Sequence, residues 1–579
     1  MPLTRLEDVV LVLVALPCAA APISYVLDRA FRPARDWLVI LALAANLALA
    51  CGVGLAGWGS ARIIPLAGQA VEGLPAGVSV AVSGPCLVAL PLVASVCLAV
   101  GVYSIGYVQP GRFVGGYYAF VLLAAGALDV IALAGDLVTL SAGLALLGVV
   151  LSALVGLDFA RGAGAAATKV LLMLEMSAVL VFASAWLVLA RGGSIALDRL
   201  LAANAALGDW LPSAAGLLLV GLATGSALAP LHTWLTSSAR QALAPVMALL
   251  AGGVLPATSA VWLRVLEPSV ELTPTWPVLA LLGALSVLIG ALGALRSASF
   301  LPFLAFQAVG QGGFVALALA QGSAAGRAAA VYQLATLALL CTLVVLGVGA
   351  VLQMTKSVAL VDFLRLRASR PAAAFAALIG AAGIAALPPW PGYWSRAWLL
   401  QALLQAGGCH LPLVLVVLLG SALLTASLLR LVGTDVPVAG EPAQRQRLTL
   451  LAPLFGLGAL GSLAAFVPPD LVFLLIAAAP AETAPTPGLL APLLLLAALS
   501  LGIALRLAEL SLLPPGPRAA FDRVARRLGS SGPLVARVEK RVRPEWLDVY
   551  AAAGGLLLLG ASAAAALLDR TLGRLGRNA

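Results

Sequence analysis

The stretch GLATGSALAPLHTWLTSSARQALAPVMALLAGGV, residues 221–254, holds His232, one of only 2 histidines in the chain. Its flanks are apolar, and Pro230 and Pro245 punctuate them. Proline lacks a backbone donor and clashes with the preceding helical turn. Both positions are therefore expected to mark helix breaks or ends, and Pro388-Pro389 should do the same.

The whole chain shares this greasy character. Of 579 residues, 62% are hydrophobic and 10% charged, and the mean hydropathy is +1.07. A soluble domain carries roughly 25% charged residues. Apolar runs of membrane-spanning length recur throughout, which predicts an all-α polytopic membrane protein rather than a β-barrel of short alternating segments. The first run, near Val9, lacks a small-residue cleavage site followed by a soluble domain, so it reads as a retained helix.

Candidate spans lie at 9–27, 37–57, 86–108, 116–135, 137–157, 168–190, 211–231, 243–265, 277–295, 300–320, 328–353, 373–389, 411–431, 448–467, 488–510 and 549–568. This predicts 14–16 transmembrane helices. Residues 511–547 differ: Arg523, Arg526, Arg527, Arg537, Lys540, Arg541 and Arg543 alternate with Phe521, Val524, Leu528, Leu534 and Val538. Such a basic amphipathic segment lies on a membrane face or along neighbouring helices, or else forms a solvated loop.

The formal net charge of +10 points to topology and not to nucleic acid, because the arginines fall in short loops. The 28–36 loop, the 355–371 loop with Lys356, Arg365, Arg367 and Arg370, and the 430–447 loop with Arg430, Arg445 and Arg447 share one side if the spans alternate. That side is cytoplasmic by the positive-inside rule, which puts the N-terminus outside. The C-terminal Arg570, Arg574 and Arg577 then fall outside as well, against the rule. Cys18, Cys51, Cys86, Cys97, Cys341 and Cys409 form no CxxC pair and mostly lie in apolar runs, so they read as buried hydrophobes and not as iron–sulfur ligands.

The opening stretch carries a resemblance. Pro230-Leu231-His232-Thr233-Trp234-Leu235 followed by Ala244-Pro245-Val246-Met247-Ala248-Leu249-Leu250 is similar to the central signature of the proton-translocating antiporter-like membrane subunits. That family includes the large membrane subunits of respiratory NADH:quinone oxidoreductase (complex I), the Mrp antiporters and the group 4 membrane-bound hydrogenases. Tyr103-Ser104-Ile105-Gly106-Tyr107, Gly135-Asp136-Leu137-Val138-Thr139-Leu140, Phe306-Gln307-Ala308-Val309-Gly310-Gln311-Gly312-Gly313 and Leu387-Pro388-Pro389-Trp390-Pro391-Gly392-Tyr393-Trp394-Ser395-Arg396 resemble further family motifs. The likeness is good over 85–435 and looser elsewhere. It implies two inverted five-helix repeats, each with a broken helix, at 111–266 and 277–435. N-terminal helices fill 1–110 and further helices 436–510. A lateral segment at 511–547 and a last span within 548–579 follow. Discontinuous helices in inverted repeats place ion sites near the bilayer midplane.

The resemblance also implies a loss. The family's buried lysine of the first broken helix aligns with Gly225, its helix-8 histidine with Ala251, and its helix-5 glutamate near Ala145. The lysine assigned to the second broken helix aligns near Cys341, with Gln333 and Leu337 where histidines are frequent. All four positions are uncharged here, whereas an ionisable group inside a bilayer is costly and normally functional. Candidate ion-path residues that remain are Asp129, Lys169, Glu175, His232 and Arg396. Asp129 and Glu175 serve either a substitute ion path or an interface or helix–helix hydrogen bond. His232 is either a hydrogen-bonded helix-edge residue or a relay. Arg396 keeps the charge of the family motif's terminal lysine and is expected at the membrane face. The second repeat is otherwise expected to hold almost nothing ionisable within its spans.

These readings favour an antiporter-like subunit of a redox-driven ion-translocating complex, structural and with a degenerate proton path. A subunit of a cation/proton antiporter or of an inorganic-carbon uptake system is the alternative. Other membrane subunits and lipid are the expected partners; no cofactor is expected in this chain. No metal cluster, nucleophile–base pair or phosphate loop suggests an active site, and GLGALG at 456–461 has no preceding strand to make it a dinucleotide site.

Overall fold

The computed structural model describes residues from Leu6 to Ser511, apart from 57–61, 66–78, 83, 109–113, 158–162, 198–199, 201–209, 267–274, 354–359, 368, 408–409, 433–446, 468–471 and 473–489. The basic segment beyond Ser511, the candidate span at 549–568 and Cys409 lie outside the described residues. The chain divides into two units, Met1–Gly502 and Ile503–Ala579, and of the second only the helical residues 503–511 are described.

Among the described residues, 11 helices are long and apolar enough to cross a membrane, and 4 shorter apolar helices accompany them. The first three are α1 (Leu6–Ala30), α2 (Arg32–Ala56) and α3 (Gly84–Tyr107). Between α2 and α3 runs a small antiparallel pair, β1 (Arg62–Pro65) and β2 (Ser79–Val82), with Ile63 opposite Ala81. The apolar-run reading did not anticipate this pair, because each strand is only four residues long.

Two groups of helices follow in the same order. The first comprises α4 (Val114–Leu133), α5 (Leu137–Gly156), α6 (Ala163–Leu189), the interrupted pair α7 (Trp210–Gly225) and α8 (Thr233–Ser238), and α9 (Ala244–Val265). The second comprises α10 (Thr275–Arg296), α11 (Phe300–Leu319) and α12 (Ala324–Leu352). After the short α13 (Leu360–Leu366) it continues with the interrupted pair α14 (Pro371–Ile384) and α15 (Pro391–Gln405), then α16 (Leu411–Leu428). In each group the fourth helix is broken. The chain then adds α17 (Leu448–Leu463) and α18 (Leu490–Ser511).

Burial sorts these helices. In α9 and α12 the apolar window is 100% buried, against 33% in α1 and in α2. A helix that is apolar all round either sits in a protein core or faces lipid. Thus α9 and α12 form the centre, and the outer helices turn Ile23, Leu41, Leu172, Val179 and Trp186 outward.

At the centre the two groups touch through matching irregularities. Residues Leu250–Val254 of α9 and Thr336–Cys341 of α12 each form a π turn. A Cβ added at Gly252 would collide with Thr342 Oγ1 and stand 3.0 Å from the Ala338 carbonyl. Only glycine permits that approach.

Helix ends gather on two faces. On one, Gln353 Nε2 donates to the Gly106 and Tyr107 carbonyls at the end of α3 (3.1 Å each), and Arg430 Nη1 donates to the Ala294 and Leu295 carbonyls (3.1 and 3.0 Å). On the other, Asp136 caps α5 and accepts from Thr139 N, Thr139 Oγ1, Ser79 N and Ser79 Oγ, all at 2.8 Å. Arg264 donates to the Ala134 carbonyl on that same face. The first group starts on the face of Gly106 and the second on the face of Ala134, so the two groups run in opposite senses.

Candidate ion-path site at two broken helices

The breaks are built alike. α7 ends with the Leu228 amide donating to the Ala223 carbonyl (2.9 Å) and the Ala227 amide to the Thr224 carbonyl (3.1 Å). α14 ends with Leu387 donating to Ala382 and Ala386 to Gly383, both at 3.1 Å. This is the Schellman termination, which needs a left-handed residue, usually glycine. Here alanines fill the position: Ala227 has φ +51° and Ala386 φ +61°. In both breaks a cis proline peptide follows, Ala229–Pro230 and Pro388–Pro389.

A break inside hydrocarbon exposes backbone groups that water cannot reach, so the protein must supply partners. At the first break they are neutral. The Trp234 indole donates to the Thr224 carbonyl (2.9 Å), and the Ala229 amide donates to Ser286 Oγ (2.8 Å), a residue of α10 in the other group. At the second break one partner is charged. Arg396 Nη2 donates to the Ile384 carbonyl (2.7 Å), while Thr425 Oγ1 donates to the Ala385 carbonyl (3.2 Å).

Arg396 is fully buried, at 0% exposure. It does not lie at the membrane face, and the second group is not empty of ionisable groups within its spans. Its Nη2 also donates to Gln311 Oε1 (3.2 Å), Gln333 Nε2 donates to the same oxygen (2.6 Å), and the guanidinium lies 4.6 Å from the Phe314 ring centroid. The break is enclosed by neighbouring helices, so a residue that follows a proline turn in sequence lands in the core. The polar row Arg396–Gln311–Gln333 thus joins α15, α11 and α12. Side-chain amides donate and accept hydrogen bonds but do not take up protons at neutral pH.

The other candidates are scattered. Asp129 accepts from Asn46 Nδ2 (2.7 Å), which also donates to the Leu13 carbonyl (3.2 Å). That contact ties α4 to α1 and α2, as a helix–helix hydrogen bond would. Glu175 of α6 faces α5, where a Cβ at Gly148 would stand 2.8 Å from its Oε1. Lys169 Nζ donates to Ser237 Oγ in α8 (2.9 Å), so Lys169 and the buried His232 share a neighbourhood. His232 heads α8 with its ring 6.2 Å from that of Phe306.

The four uncharged positions also have places. Ala145 lies on α5 and Gly225 ends α7, where an added Cβ would meet Ser177 Oγ at 3.2 Å and Thr258 Cγ2 at 3.5 Å. Ser177 instead donates to the Gly221 carbonyl (2.6 Å) and Thr258 to the Val254 carbonyl (2.8 Å), so both hydroxyls are consumed by helix backbone. Ala251 and Cys341 fall in the two facing π turns. Cys341 is therefore not on the second broken helix. It lies on the continuous α12, and the break is at 385–390.

Comparison with known proteins agrees with this architecture. The family described as the NADH:quinone oxidoreductase/Mrp antiporter transmembrane region matches residues 134–425. The chain belongs to this family. It is 33% identical over 352 residues to NADH-quinone oxidoreductase subunit N of Geobacter metallireducens, covering 59% of this chain and 74% of that protein. Among solved structures, a chain of Thermus thermophilus respiratory complex I with bound aureothin superposes with TM-score 0.65 at 26% identity, covering 80% of this chain and 99% of that one. A chain of the Mrp complex from Dietzia sp. superposes with TM-score 0.74 at 22% identity, covering 96% and 63%, and shares the fold. The sequence alone pairs neither Asn46 with Asp129 nor Gln311 and Gln333 with Arg396. The available signal was three glutamines, Gln307, Gln311 and Gln333, within otherwise apolar spans.

Proposed function

We propose that this chain is an antiporter-like membrane subunit of a redox-driven, ion-translocating complex of the NADH:quinone oxidoreductase kind. It supplies scaffold and interfaces rather than the family's full proton route. The observation that carries this reading is the pairing of two intact broken helices with uncharged residues at Ala145, Gly225 and Ala251 in the first group, while the second break holds a single buried charge, Arg396, among neutral glutamines. Transfer across roughly 30 Å of hydrocarbon needs several titratable or hydrated stations. Gly and Ala side chains in an apolar wall supply none, and the guanidinium of Arg396 keeps its proton at neutral pH.

The chain holds no redox group of its own in this reading, since its cysteines are dispersed. Electrons pass through partner subunits, and the chain responds through its membrane contacts with them. The N-terminus faces outward. Arg29, Arg35, Arg240, Arg296, Arg367, Arg370 and Arg430 cluster on the helix-end face opposite that of α1's first residues, which supports this orientation under the positive-inside rule.

The test is purification of the tagged chain in mild detergent. Co-purification with other membrane subunits and with redox-active soluble subunits is the expected result. An active, monomeric transporter in reconstituted vesicles would overturn it. Labelling of a cysteine introduced at Asp8, from outside but not from inside in sealed vesicles, checks the orientation.

A further inference from the structure

Arg396 presents more hydrogen-bond donors than its surroundings can use. A guanidinium carries five N–H groups and no acceptor. Here Nη2 takes both available acceptors, the Ile384 carbonyl and Gln311 Oε1. Nε and Nη1, both buried, have no partner among the described residues. The ion pairs among those residues are both made by Arg35, with Asp28 and Asp36, so no carboxylate there neutralises Arg396.

The neighbouring amides deepen the imbalance. Arg396 obliges Gln311 to turn its oxygen toward the guanidinium, and that oxygen then also accepts from Gln333. Gln311 Nε2 is left as a third buried nitrogen without an acceptor, against one free acceptor, Gln333 Oε1. The site is positively charged and rich in donors. A buried charge is tolerated only when paired and hydrogen-bonded. The face of Phe314 offers a partial, quadrupolar counter-charge.

We propose that Arg396 and the Gln311 amide bind a small monovalent inorganic anion, such as chloride, inside the second helix group. The anion supplies the acceptor and the negative charge that the side chains lack. Charge-assisted bonds from a guanidinium are the strong kind, and the planar fork of arginine presents two of them together. A cation is excluded by the charge of the guanidinium. Neutral water would satisfy donors but leave the charge uncompensated. The proposal stands apart from the choice of host complex.

The experiment uses the full chain in its purified membrane assembly, equilibrated in gluconate, a bulky organic anion. Radiolabelled chloride is added, and bound chloride is compared between wild type and variants. Wild type is expected to show a saturable, chain-stoichiometric component that Arg396→Gln loses. Arg396→Lys, which keeps the charge but not the fork, should weaken it by roughly tenfold. If Arg396→Gln does not assemble, Gln311→Leu decides: it removes the Nε2 donor together with the oxygen that accepts from Arg396 and Gln333, and should change chloride binding several-fold. Absence of saturable binding in wild type overturns the proposal. So does equal binding by wild type, Arg396→Lys and Gln311→Leu.

Discussion

The two broken helices share a backbone design and differ in how they are closed. Both end in the same hydrogen-bond pattern with an alanine in the left-handed position, Ala227 or Ala386, and both continue through a proline. The first is then sealed by an indole and a serine hydroxyl, all neutral. The second is sealed by a buried guanidinium linked to two glutamines. Backbone geometry is therefore set by the local Ala-Leu-x-Pro pattern, common to 227–230 and 386–389. Electrostatics is set by one residue further along each helix. The fold can be retained while the charge inventory of a family changes, because the two depend on different side chains.

The largest expected effect tests the neutral closure. Trp234 is fully buried and both fills the core and satisfies the Thr224 carbonyl. Trp234→Ala should cost about 3–5 kcal/mol through cavity formation, enough to deplete the assembled protein. Trp234→Phe isolates the hydrogen bond and should cost about 0.5–1.5 kcal/mol, because the Thr224 carbonyl still accepts from the Ala227 amide. Detergent-resistant yield and thermal unfolding of the assembly measure both. Equal stability of Trp234→Phe and wild type would remove the indole from the closure.

Next comes the seam between the two groups. Gly252→Ala should destabilise by about 1–3 kcal/mol, since its Cβ would collide with Thr342 Oγ1. Thr342→Ala, which removes that oxygen, should restore part of the loss in the double variant. Additive losses would mean that the two π turns are not packed as described.

Most helices and both breaks were legible in the sequence, because apolar runs of spanning length and proline punctuation are local signals, whereas α8 and α15, which follow the breaks, fell outside every candidate span. The π turns were not. No residue type announces them, and they arise where Gly252 lets α9 approach α12. The burial of Arg396 was also hidden, since a residue after Pro388-Pro389-Trp390-Pro391 reads as loop edge until the break is known to be enclosed by other helices. The Asn46–Asp129 bond joins residues far apart in sequence, which single-chain patterning cannot pair. The loss at Gly225, Ala251 and Cys341 was legible only through the family resemblance. The structure then moved Cys341 from the broken helix to a continuous one.

A smaller effect, of opposite sign, tests the shared backbone motif. A left-handed alanine costs roughly 1–2 kcal/mol. Glycine relieves that strain but loses more entropy on folding, by roughly 0.5–1 kcal/mol. Ala227→Gly and Ala386→Gly should thus each stabilise slightly, and to a similar extent. Unequal shifts in thermal midpoint would show that the two breaks are strained differently.

The smallest expected effect concerns the carboxylates. If the chain lacks a working proton route, neutralising its remaining acidic groups should barely alter pumping by the host complex. Asp129 already spends its side chain on Asn46, and an amide oxygen at that position could still accept from Asn46 Nδ2. Glu175 lies between α6 and α5 with Gly148 beside it, on an outer helix, and not beside Arg396 in the other group. A path from the first group alone would end at the seam, where both π turns carry uncharged side chains. Asp129→Asn and Glu175→Gln should therefore leave proton uptake in reconstituted vesicles close to wild type, with assembly unchanged, whereas deletion of the whole chain should impair assembly. Loss of uptake in either variant, at normal assembly, would mean that the first group conducts through residues the family does not use. The neutral closure at Trp234 would then be part of a live channel and not the seal of a retired one.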